Sequence, residues 1–370
     1  PPPLCNIHPP TPPLMHRAGM RALRRCLLVS SSSPRVAAAK APWHRRTLAA
    51  AGDGDGGDDD LGARFDRQAK AHSAVERRRA LAAEEEQELI REGPGACDMP
   101  SVGPADADGA YDTKLAEEHV LRHGLCHFPG VLDAAAAGLL REHVNQVLHE
   151  STRRVAIQGA SYGSLFGPVM ARADRYDVLL PLDALVLSTI RTVLRTVEAA
   201  MRALVGEDAY LCELSALISD PGAVAQPVHH DTSFDGNPPR VSLLVALQDV
   251  ESVMGPTLFF PQTNTPEWHM HYLMRGEEFE ELLGSSCHCA GTLRVGDAVL
   301  YDTQLLHCAS GAENSQGRRT LLTLSAQEET ADNQHEQANI RRGYRGTLKL
   351  NKLTQWELKV IDMAAAAGSE

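Results

Sequence analysis

The feature that most constrains the fold is a series of short apolar segments in the second half of the chain. These segments are rich in β-branched and apolar residues and are separated by Gly, Pro and Asp; they span 210–218, 241–247, 257–260, 298–301 and 320–325. Several short strands separated by turns favour a sandwich or barrel over an alternating parallel sheet. The sequence therefore predicts a domain whose centre is mainly β.

Helical patterns precede these strands. Residues 115–121, 133–148 and 183–204 carry apolar side chains at helical spacing, and 124–128 has the pattern of a short strand. Asp133 is suited to cap the second helix, because its side chain can accept a hydrogen bond from the first helical turn. We expect helices to fill the front of the domain and to flank the strands.

The N-terminal part of the chain has a different composition. Residues 1–52 contain no Asp or Glu and are rich in Arg, Ser and Ala, which is typical of an organellar transit peptide, whereas the apolar core of a secretory signal is missing. We expect import into an organelle, with the mitochondrion favoured over the chloroplast. The alternative is a disordered basic tail on a protein that stays in the cytoplasm.

The next segment, 53–110, is predicted to be an acidic linker followed by a solvated charged helix. The linker is rich in Gly and Asp, and 61–92 combines Ala, Arg, Glu and Gln with few apolar residues. We expect Glu84, Glu85 and Glu86 to face water. The rest of the chain divides into an ordered domain at 111–350 and a C-terminal tail at 351–370.

Composition argues against several classes of partner. A formal net charge of −12 and a pI of about 5.7 give no support for broad attraction to nucleic acid or to an anionic membrane. No apolar run approaches the roughly 18 residues that cross a bilayer. The eight cysteines form no disulfide framework, which favours a reducing compartment. Cys287-His288-Cys289 lacks a second ligand pair at zinc-site spacing, so a pair of loop cysteines is favoured over a metal site.

Two histidines and an aspartate form the strongest chemical signal. His229 and Asp231 are separated by one residue, so on an extended strand their side chains share one face while His230 points away. A distant His307 supplies a second imidazole. Two neutral imidazoles and one carboxylate are the facial set that binds ferrous iron and leaves positions open for a cosubstrate and O₂. A His-x-Asp alone is a weak signal in a chain with 16 histidines, so its context decides.

That context is a Gly-Asp turn and strand at 296–302, followed by His307 and then by Arg318 and Arg319 at the start of another strand. An arginine near the iron can bind a distal carboxylate through two hydrogen bonds, which a lysine does less specifically. Iron with an arginine anchor suits 2-oxoglutarate as cosubstrate.

From about 115 to 350 the chain resembles the phytanoyl-CoA dioxygenase (PhyH-like) family of Fe(II)/2-oxoglutarate oxygenases. The resemblance is carried by HGLCHFPGVLD, QPVHHDTSF, MGPTLFFPQTNT, GDAVLYDTQLLH and NSQGRRTLL, with NIRRGYRGTLKL as a family-like tail. It implies a fold that is mainly β with flanking helices (α+β). The core is expected to be a double-stranded β-helix of the jelly-roll, cupin-like type.

The resemblance also implies roles for individual residues. His229, Asp231 and His307 are expected to bind the iron and to form the catalytic centre. Arg319 is expected to anchor 2-oxoglutarate because the Asn and Thr-Leu-Leu motifs around it align best, whereas spacing from His307 favours Arg318.

Three further positions match the cosubstrate pocket of relatives less specifically. Ser310 is the hydroxyl after the distal histidine, Gln226 lies three residues before the first histidine, and Thr257 either faces the pocket or simply fills the barrel. Two departures stand out. The turn at 261–264 reads Pro-Gln-Thr-Asn where relatives usually have Pro-Gly-Ser/Thr-His, and Leu244 stands where some relatives have an aromatic residue.

The activity implied by the resemblance is that of a dioxygenase that uses Fe²⁺, 2-oxoglutarate and O₂. It would hydroxylate an unactivated C–H of a small organic substrate, an acyl-CoA or another metabolite, with release of succinate and CO₂. Asp231 is present where iron halogenases of similar fold have a small residue, so hydroxylation is favoured over halogenation. The alternatives are a peptide or protein hydroxylase and a non-catalytic protein of the same fold that binds iron and 2-oxoglutarate.

Overall fold

The computed structural model describes residues 86–88, 90, 93, 95–103, 111–233, 239–312, 315, 317–328 and 339–357. The proposed leader at 1–52, the acidic linker, most of the charged helix and the end of the tail lie outside the described residues. The predicted leader and its compartment therefore stay predictions.

Two antiparallel sheets form the centre of the structure. The larger sheet has six strands in the order β1-β7-β4-β9-β3-β2, and the smaller sheet has three in the order β6-β5-β8. The strands are β1 (Leu125–Phe128), β2 (Arg175–Leu179), β3 (Tyr210–Ser219), β4 (Arg240–Ala246), β5 (Thr257–Phe259), β6 (Cys289–Ala290), β7 (Ala298–Asp302), β8 (His307–Ala309) and β9 (Arg319–Gln327). The strands predicted at 124–128, 210–218, 241–247, 257–260, 298–301 and 320–325 are all present, with bounds that move by one or two residues.

The two sheets face each other across a buried interior. Phe259 of the smaller sheet and Tyr301 of the larger sheet place their ring centroids 5.3 Å apart, and both belong to one apolar cluster with Leu244 and Leu321. Two antiparallel sheets that share one interior in this way match the predicted double-stranded β-helix with flanking helices. The predicted fold class is confirmed.

The register of the larger sheet aligns four polar side chains across four strands. Tyr301 of β7 lies opposite Ser242 of β4, which lies opposite Ser325 of β9. Ser325 in turn lies opposite Glu213 of β3. The alternating neighbours, such as Leu324, belong to the apolar cluster that the sheet shares with the helices. These four residues, which we call the polar row, therefore face the smaller sheet and the interior.

Helices cover both sheets from outside. Three helices pack on the larger sheet: α1 (Thr113–His123), α2 (Ala134–Gln158) and α3 (Ala184–Val205). Two pack on the smaller sheet: α4 (Pro266–Met274) and α5 (Glu277–Ser285). Short 3₁₀ helices occupy Tyr162–Ser164, Ser252–Met254, Arg342–Tyr344 and Leu350–Gln355.

Capping and burial explain where the long helices begin and why they dock. The side chains of Asp112, Asp133 and Asp183 each accept a hydrogen bond from the first turn of α1, α2 and α3, as predicted for Asp133. Ile190 and Val193 of α3 are fully buried against the sheet. Each such side chain contributes about 1.5–3 kcal/mol to folding, so α3 is firmly attached. Among the described residues no helix is both long and apolar enough to cross a membrane.

An extended segment closes the gap between the two sheets. We call residues 95–103 the N-terminal strap. Ala96 bridges to His288 beside β6, and Ser101 bridges to His127 of β1. Strands β1 and β6 are each the edge of their sheet. The strap thus pairs with an edge of each sheet and covers the seam between them.

Two predictions need correction. Glu86 does not face water as predicted, because Glu86, Gln87 and Ile90 are buried, whereas Glu88 is exposed. The Glu86 side chain accepts a hydrogen bond from the Val228 backbone N–H and forms an ion pair with Arg275, which a sequence pattern cannot show. His229 and Asp231 are not in a regular strand either, as described below.

Candidate metal centre and anion pocket

Three side chains converge at one end of the interior. His229, Asp231 and His307 each offer one ligand atom, and these atoms all lie within 4.8 Å of one another. The Nε2 atoms of His229 and His307 lie 3.9 Å and 3.6 Å from the carboxylate oxygens of Asp231. The structure thus brings together the three ligands that the sequence predicts, in a group small enough to surround one ion.

Backbone pairing explains why residues so far apart in sequence meet. His229 and His307 exchange both backbone hydrogen bonds, at 2.9 Å and 2.8 Å, although His229 forms only this isolated bridge. Asp231 lies in a bend, and its N–H donates to the Thr303 carbonyl at 2.9 Å. The predicted strand is therefore a single paired position followed by a bend, and pairing with 303–309 still aims both side chains into one space.

Backbone carbonyls orient the two imidazoles. The Nδ1 atom of His229 lies 2.8 Å from the Pro227 carbonyl, and that of His307 lies 2.9 Å from the Leu305 carbonyl. A carbonyl only accepts, so each Nδ1 carries the proton and each Nε2 keeps its lone pair toward Asp231. Burial, with the adjacent His307, lowers the pKa of His229 to about 4, so this imidazole is neutral at pH 7 and able to bind a metal.

Asp231 is ionised and is the most accessible member of the set. Burial alone would raise its pKa, but His307, His229 and nearby Arg240 lower the pKa below the ordinary value. Its side chain is 37 % exposed, whereas that of His307 is 7 % exposed. The Tyr301 hydroxyl donates to Asp231 at 3.0 Å. A fixed carboxylate with one open side suits a metal that must also admit other ligands.

The polar row continues from Asp231 into the sheet. Burial and the nearby Asp231 raise the pKa of Tyr301 well above its ordinary value, so its hydroxyl stays protonated as a donor. The Ser242 and Ser325 hydroxyls lie 2.5 Å apart, and the Ser325 hydroxyl donates to Glu213. These hydrogen bonds order the row of polar side chains that begins at Tyr301, whose hydroxyl donates to the Asp231 carboxylate.

The two adjacent arginines have different surroundings. Arg319 is completely buried; its guanidinium donates to the Gly255 carbonyl and, at 3.1 Å, to the Ser219 hydroxyl. Its Nε finds no partner among the described residues. Arg318 instead forms a bidentate ion pair with Asp220, at 2.5 Å and 2.9 Å, and donates to Asn145. Arg318 is occupied, while Arg319 keeps a buried donor for a ligand.

A second buried arginine lies beside Arg319. Arg175 of β2 is 1 % exposed, and its Nε donates to the same Ser219 hydroxyl at 3.3 Å. Burial and the adjacent Arg175 lower the pKa of Arg319 to about 9, so Arg319 is still charged at pH 7. Arg319, buried beside a second arginine and one hydroxyl, lies in a pocket that a carboxylate would stabilise, because the carboxylate neutralises the charge of Arg319, which water cannot reach. We call Arg175, Ser219 and Arg319 the anion pocket.

Gly255 gives a physical reason for the Gly-Pro motif. Its φ is +67°, and a Cβ there would lie 2.5 Å from the Ser310 carbonyl oxygen. Its own carbonyl accepts a hydrogen bond from Arg319. A side chain at this position would therefore push apart the turn that holds the buried arginine.

The three weaker candidates are Ser310, Gln226 and Thr257. The first two bond to backbone groups, and the third lies on the inner face of the smaller sheet. Ser310 donates from its hydroxyl to the Pro256 carbonyl at 2.9 Å. Gln226 accepts from the Ala309 N–H and donates to the Met170 carbonyl, at 3.1 Å and 3.2 Å. Thr257 is buried on β5, on the inner face that it shares with Phe259.

Residues predicted to point away from the iron do so. His230 stacks on His269 with ring centroids 4.2 Å apart, on the α4 side. Cys308 lies in the cluster between the smaller sheet and α5. The departures from the family pattern also have locations: Leu244 is buried in the interior cluster, and the Thr263 hydroxyl accepts from the Leu306 N–H at 2.9 Å.

Arg175, Tyr301 and Glu213 were missed by sequence reasoning. Tyr301 could have been found, because it ends the strand of the Gly-Asp motif and two-residue alternation places it on one face with Val299. Arg175 and Glu213 carry no local signal. Their position depends on which strands become neighbours, and that is fixed by packing.

Comparison with known proteins agrees with this geometry. A family profile described as Phytanoyl-CoA dioxygenase (PhyH) matches residues 120–320, which include all three triad residues and Arg319. A comparison with the curated proteins found no match.

Solved structures with a partial likeness to this chain include two described as α-ketoglutarate-dependent enzymes and one solved with 2-oxoglutarate bound. The non-heme α-ketoglutarate-dependent epimerase SnoN from nogalamycin biosynthesis is 22 % identical, with 59 % of this chain and 83 % of that chain covered and a TM-score of 0.41. The carbocyclase SnoK from the same biosynthesis is 16 % identical, with 63 % and 92 % covered and a TM-score of 0.43. HygX from Streptomyces hygroscopicus, solved with nickel and 2-oxoglutarate, is 17 % identical, with 59 % and 92 % covered and a TM-score of 0.39.

Proposed function

Because the chain belongs to the phytanoyl-CoA dioxygenase (PhyH) family, we propose that it hydroxylates an unactivated C–H of a small organic substrate with Fe(II), 2-oxoglutarate and O₂. At the coarser level it is an oxygenase-like enzyme of the iron- and 2-oxoglutarate-dependent class. Hydroxylation, and an acyl-CoA or another metabolite as substrate, are the finer part of the proposal.

The observation that carries the proposal is the donor set of the triad. Two imidazoles with free Nε2 atoms and one ionised carboxylate meet within 4.8 Å. This combination suits a divalent iron ion and leaves part of its coordination sphere free. His229, Asp231 and His307 would hold the metal, and bound iron would supply the activation of O₂.

The anion pocket gives the cosubstrate a second attachment point. Arg319 and Arg175 both donate to the Ser219 hydroxyl, and the Nε of Arg319 has no partner among the described residues. A carboxylate placed here would accept charge-assisted hydrogen bonds and would offset the cost of burying the Arg319 guanidinium. We assign the far carboxylate of 2-oxoglutarate to this pocket, with Arg319 as its main anchor.

The remaining residues orient groups and exclude water. Tyr301 holds the Asp231 carboxylate through its protonated hydroxyl. The interior between the triad and the larger sheet is lined by buried apolar side chains, including Leu244, Phe259 and Leu321. Such a lining keeps bulk water from the reacting groups and strengthens the charged hydrogen bonds near it.

An anaerobic titration tests the proposal. Purified full-length protein is titrated with Fe(II) and then with 2-oxoglutarate, and the visible metal-to-ligand charge-transfer band is recorded. We expect a band with wild type, no band with His307→Ala, and a band that needs far more 2-oxoglutarate with Arg319→Leu. Well-folded wild type without a band would overturn the proposal.

Succinate formation then separates an enzyme from a binding protein. The iron-loaded protein is exposed to O₂ with 2-oxoglutarate, and succinate is measured with candidate substrates and without any. Formation of succinate that depends on Asp231 supports a working oxygenase. A normal charge-transfer band with no succinate under any condition would instead favour a non-catalytic binding role.

A further inference from the structure

Three cysteine sulfurs that are not part of the triad meet at the seam of the barrel. The Cys287 and Cys97 sulfurs lie 3.0 Å apart, and the Cys97 and Cys289 sulfurs lie 3.2 Å apart. The residues come from two distant parts of the chain, since 190 positions separate Cys97 from Cys287. All three are free thiols.

Backbone pairing brings these thiols together. The Cys97 N–H donates to the His288 carbonyl at 2.8 Å, and the His288 N–H donates to the Gly95 carbonyl at 3.3 Å. The N-terminal strap therefore lies alongside the segment that carries both other cysteines. The sulfurs of Cys97 and Cys287 already lie 3.0 Å apart, about 1 Å beyond the length of a disulfide bond, so they can bond without a large backbone shift.

The arrangement suits a disulfide better than a metal ion. Cys97 contacts both other sulfurs, but the three do not form a compact set of ligands. Within the part of the chain that the structure describes, the group with all ligand atoms inside 4.8 Å is the iron triad. A central thiol between two partners is instead suited to bond with either one.

Accessibility selects one of the two possible partners. Cys287 is exposed and Cys97 is partly exposed, whereas Cys289 is buried. The Cys289 thiol also donates to the Asp98 carbonyl at 3.5 Å. A small oxidant in solution can reach Cys287 first, and Cys97 is its nearest neighbour.

We propose that Cys97 and Cys287 form a reversible disulfide that fastens the N-terminal strap to the smaller sheet. With a low-molecular-weight disulfide such as oxidised glutathione, the Cys287 thiolate attacks one glutathione sulfur and releases one reduced glutathione. The Cys97 thiolate then attacks the Cys287 sulfur of the mixed disulfide and releases the second. Two protein thiols are oxidised, one glutathione disulfide is reduced to two thiols, and the two protein protons end on the glutathione sulfurs.

The bond would act next to the metal centre. Cys97 and Met99 of the strap pack against the interior cluster that contains Phe259 and Tyr301. Phe259 lies beside His307, and Tyr301 bonds to Asp231. Covalent attachment of the strap therefore restrains one wall of the interior that holds the iron ligands. In a reducing compartment such a bond forms only when the redox poise changes.

The test uses full-length protein equilibrated in glutathione buffers from fully reduced to fully oxidised. Free thiols are alkylated, and disulfide-linked peptides are identified by mass spectrometry. We expect a Cys97–Cys287 link in wild type and in Cys289→Ser, and no link in Cys287→Ser. Oxidation should raise the Tm of wild type by roughly 5–10 °C, because the closed loop is long. The exposed position of Cys287 makes its serine variant a safe one for folding.

Cys212→Ser is the matched control, because Cys212 is a buried thiol of β3 outside the cluster. It should keep both the link and the Tm shift. Three results would overturn the proposal: no intramolecular link at any redox poise, a link between Cys97 and Cys289 in wild type, or one tightly bound zinc ion per chain released on alkylation of the cluster.

Discussion

The two ends of the barrel interior differ in charge and in access to water. At the metal end, the ionised Asp231 is 37 % exposed and lies beside the imidazoles of His229 and His307. In the anion pocket, the guanidinium groups of Arg175 and Arg319 are almost completely buried. The triad is therefore open to ligands from solution, whereas the anion pocket is suited to a desolvated anion.

This difference indicates how a single ligand could bind at the triad and in the anion pocket at the same time. A buried guanidinium with an unused donor costs folding free energy, and a carboxylate reduces that cost when it binds. A metal bound by two imidazoles and one carboxylate retains positive charge and also attracts anionic oxygen. A short dicarboxylate fits both requirements, whereas a monocarboxylate satisfies only one.

The largest expected effect is on the metal end. His307→Ala removes one imidazole ligand and should weaken Fe(II) or Co(II) binding by at least about 100-fold. His230→Ala is the matched control, since this neighbouring histidine stacks on His269 on the other side of the chain. Anaerobic calorimetry measures both affinities. Equal weakening in the two variants would show that the metal is not held by the inward-facing set.

The next effect distinguishes the two arginines. Arg319→Leu should weaken 2-oxoglutarate binding to the iron-loaded protein by about 100-fold, because a charge-assisted buried contact is lost. Arg318→Leu should change that affinity by less than about 3-fold and lower stability instead, since Arg318 pairs with Asp220. Titration of the charge-transfer band gives both values. A larger loss in the Arg318 variant would reverse the assignment.

A smaller effect is expected for the support of the carboxylate. Tyr301→Phe deletes the hydroxyl that donates to Asp231 and should weaken metal binding by about 10-fold while the fold is retained. Tyr272→Phe, on α4 against His230, is the control and should have no effect on metal binding. If Tyr301→Phe binds metal as tightly as wild type, the hydrogen bond does not orient the ligand.

The smallest effect concerns Asp177 of β2 and the way in which the free energy of unfolding depends on pH. Burial, with Glu213 close by, raises the pKa of Asp177 above its ordinary value of 3.8. Between pH 3.8 and the raised pKa, the folded protein keeps a proton on Asp177 that the unfolded chain releases. The free energy of unfolding therefore falls as pH rises through this range. In metal-free protein, Asp177→Asn should unfold with a free energy about 1 kcal/mol higher at pH 7. Urea unfolding from pH 4 to pH 8 should show that the extra stability of Asp177→Asn grows with pH. If the extra stability shrinks instead, the pKa of Asp177 is not raised in the folded protein.

The sequence predicted those parts of the site that lie in local motifs. His229, Asp231 and His307 each stand beside a turn or a strand end, so spacing and residue type were informative. The anion pocket was only half visible. Arg319 follows a motif, but Arg175 reaches it because β2 pairs with β3 and places Arg175 opposite Ser219. Register between strands is a property of the assembled sheet, so no local pattern could reveal that pair.

At Glu86, by contrast, a local sequence pattern was present but gave a wrong prediction. The sequence around Glu86 is dense in charge, and charge density correctly predicts exposure in most helices. Here Arg275, at the C-cap of α4, and the Val228 N–H provide partners for the Glu86 carboxylate, which is buried although Arg275 is partly exposed. Composition describes what a segment prefers in water, and it cannot include a partner nearly 200 positions away.

The Glu86 contact also decides how far the chain can be shortened. Val228 directly precedes the first metal ligand, and its N–H donates to Glu86, while the Arg275 guanidinium bonds both to Glu86 and to the Val228 carbonyl. A chain that begins at residue 111 retains every residue of the family match at 120–320, yet it leaves that N–H and a partly buried guanidinium without their carboxylate. The smallest unit expected to keep the triad in place is therefore longer than the segment that matches the family.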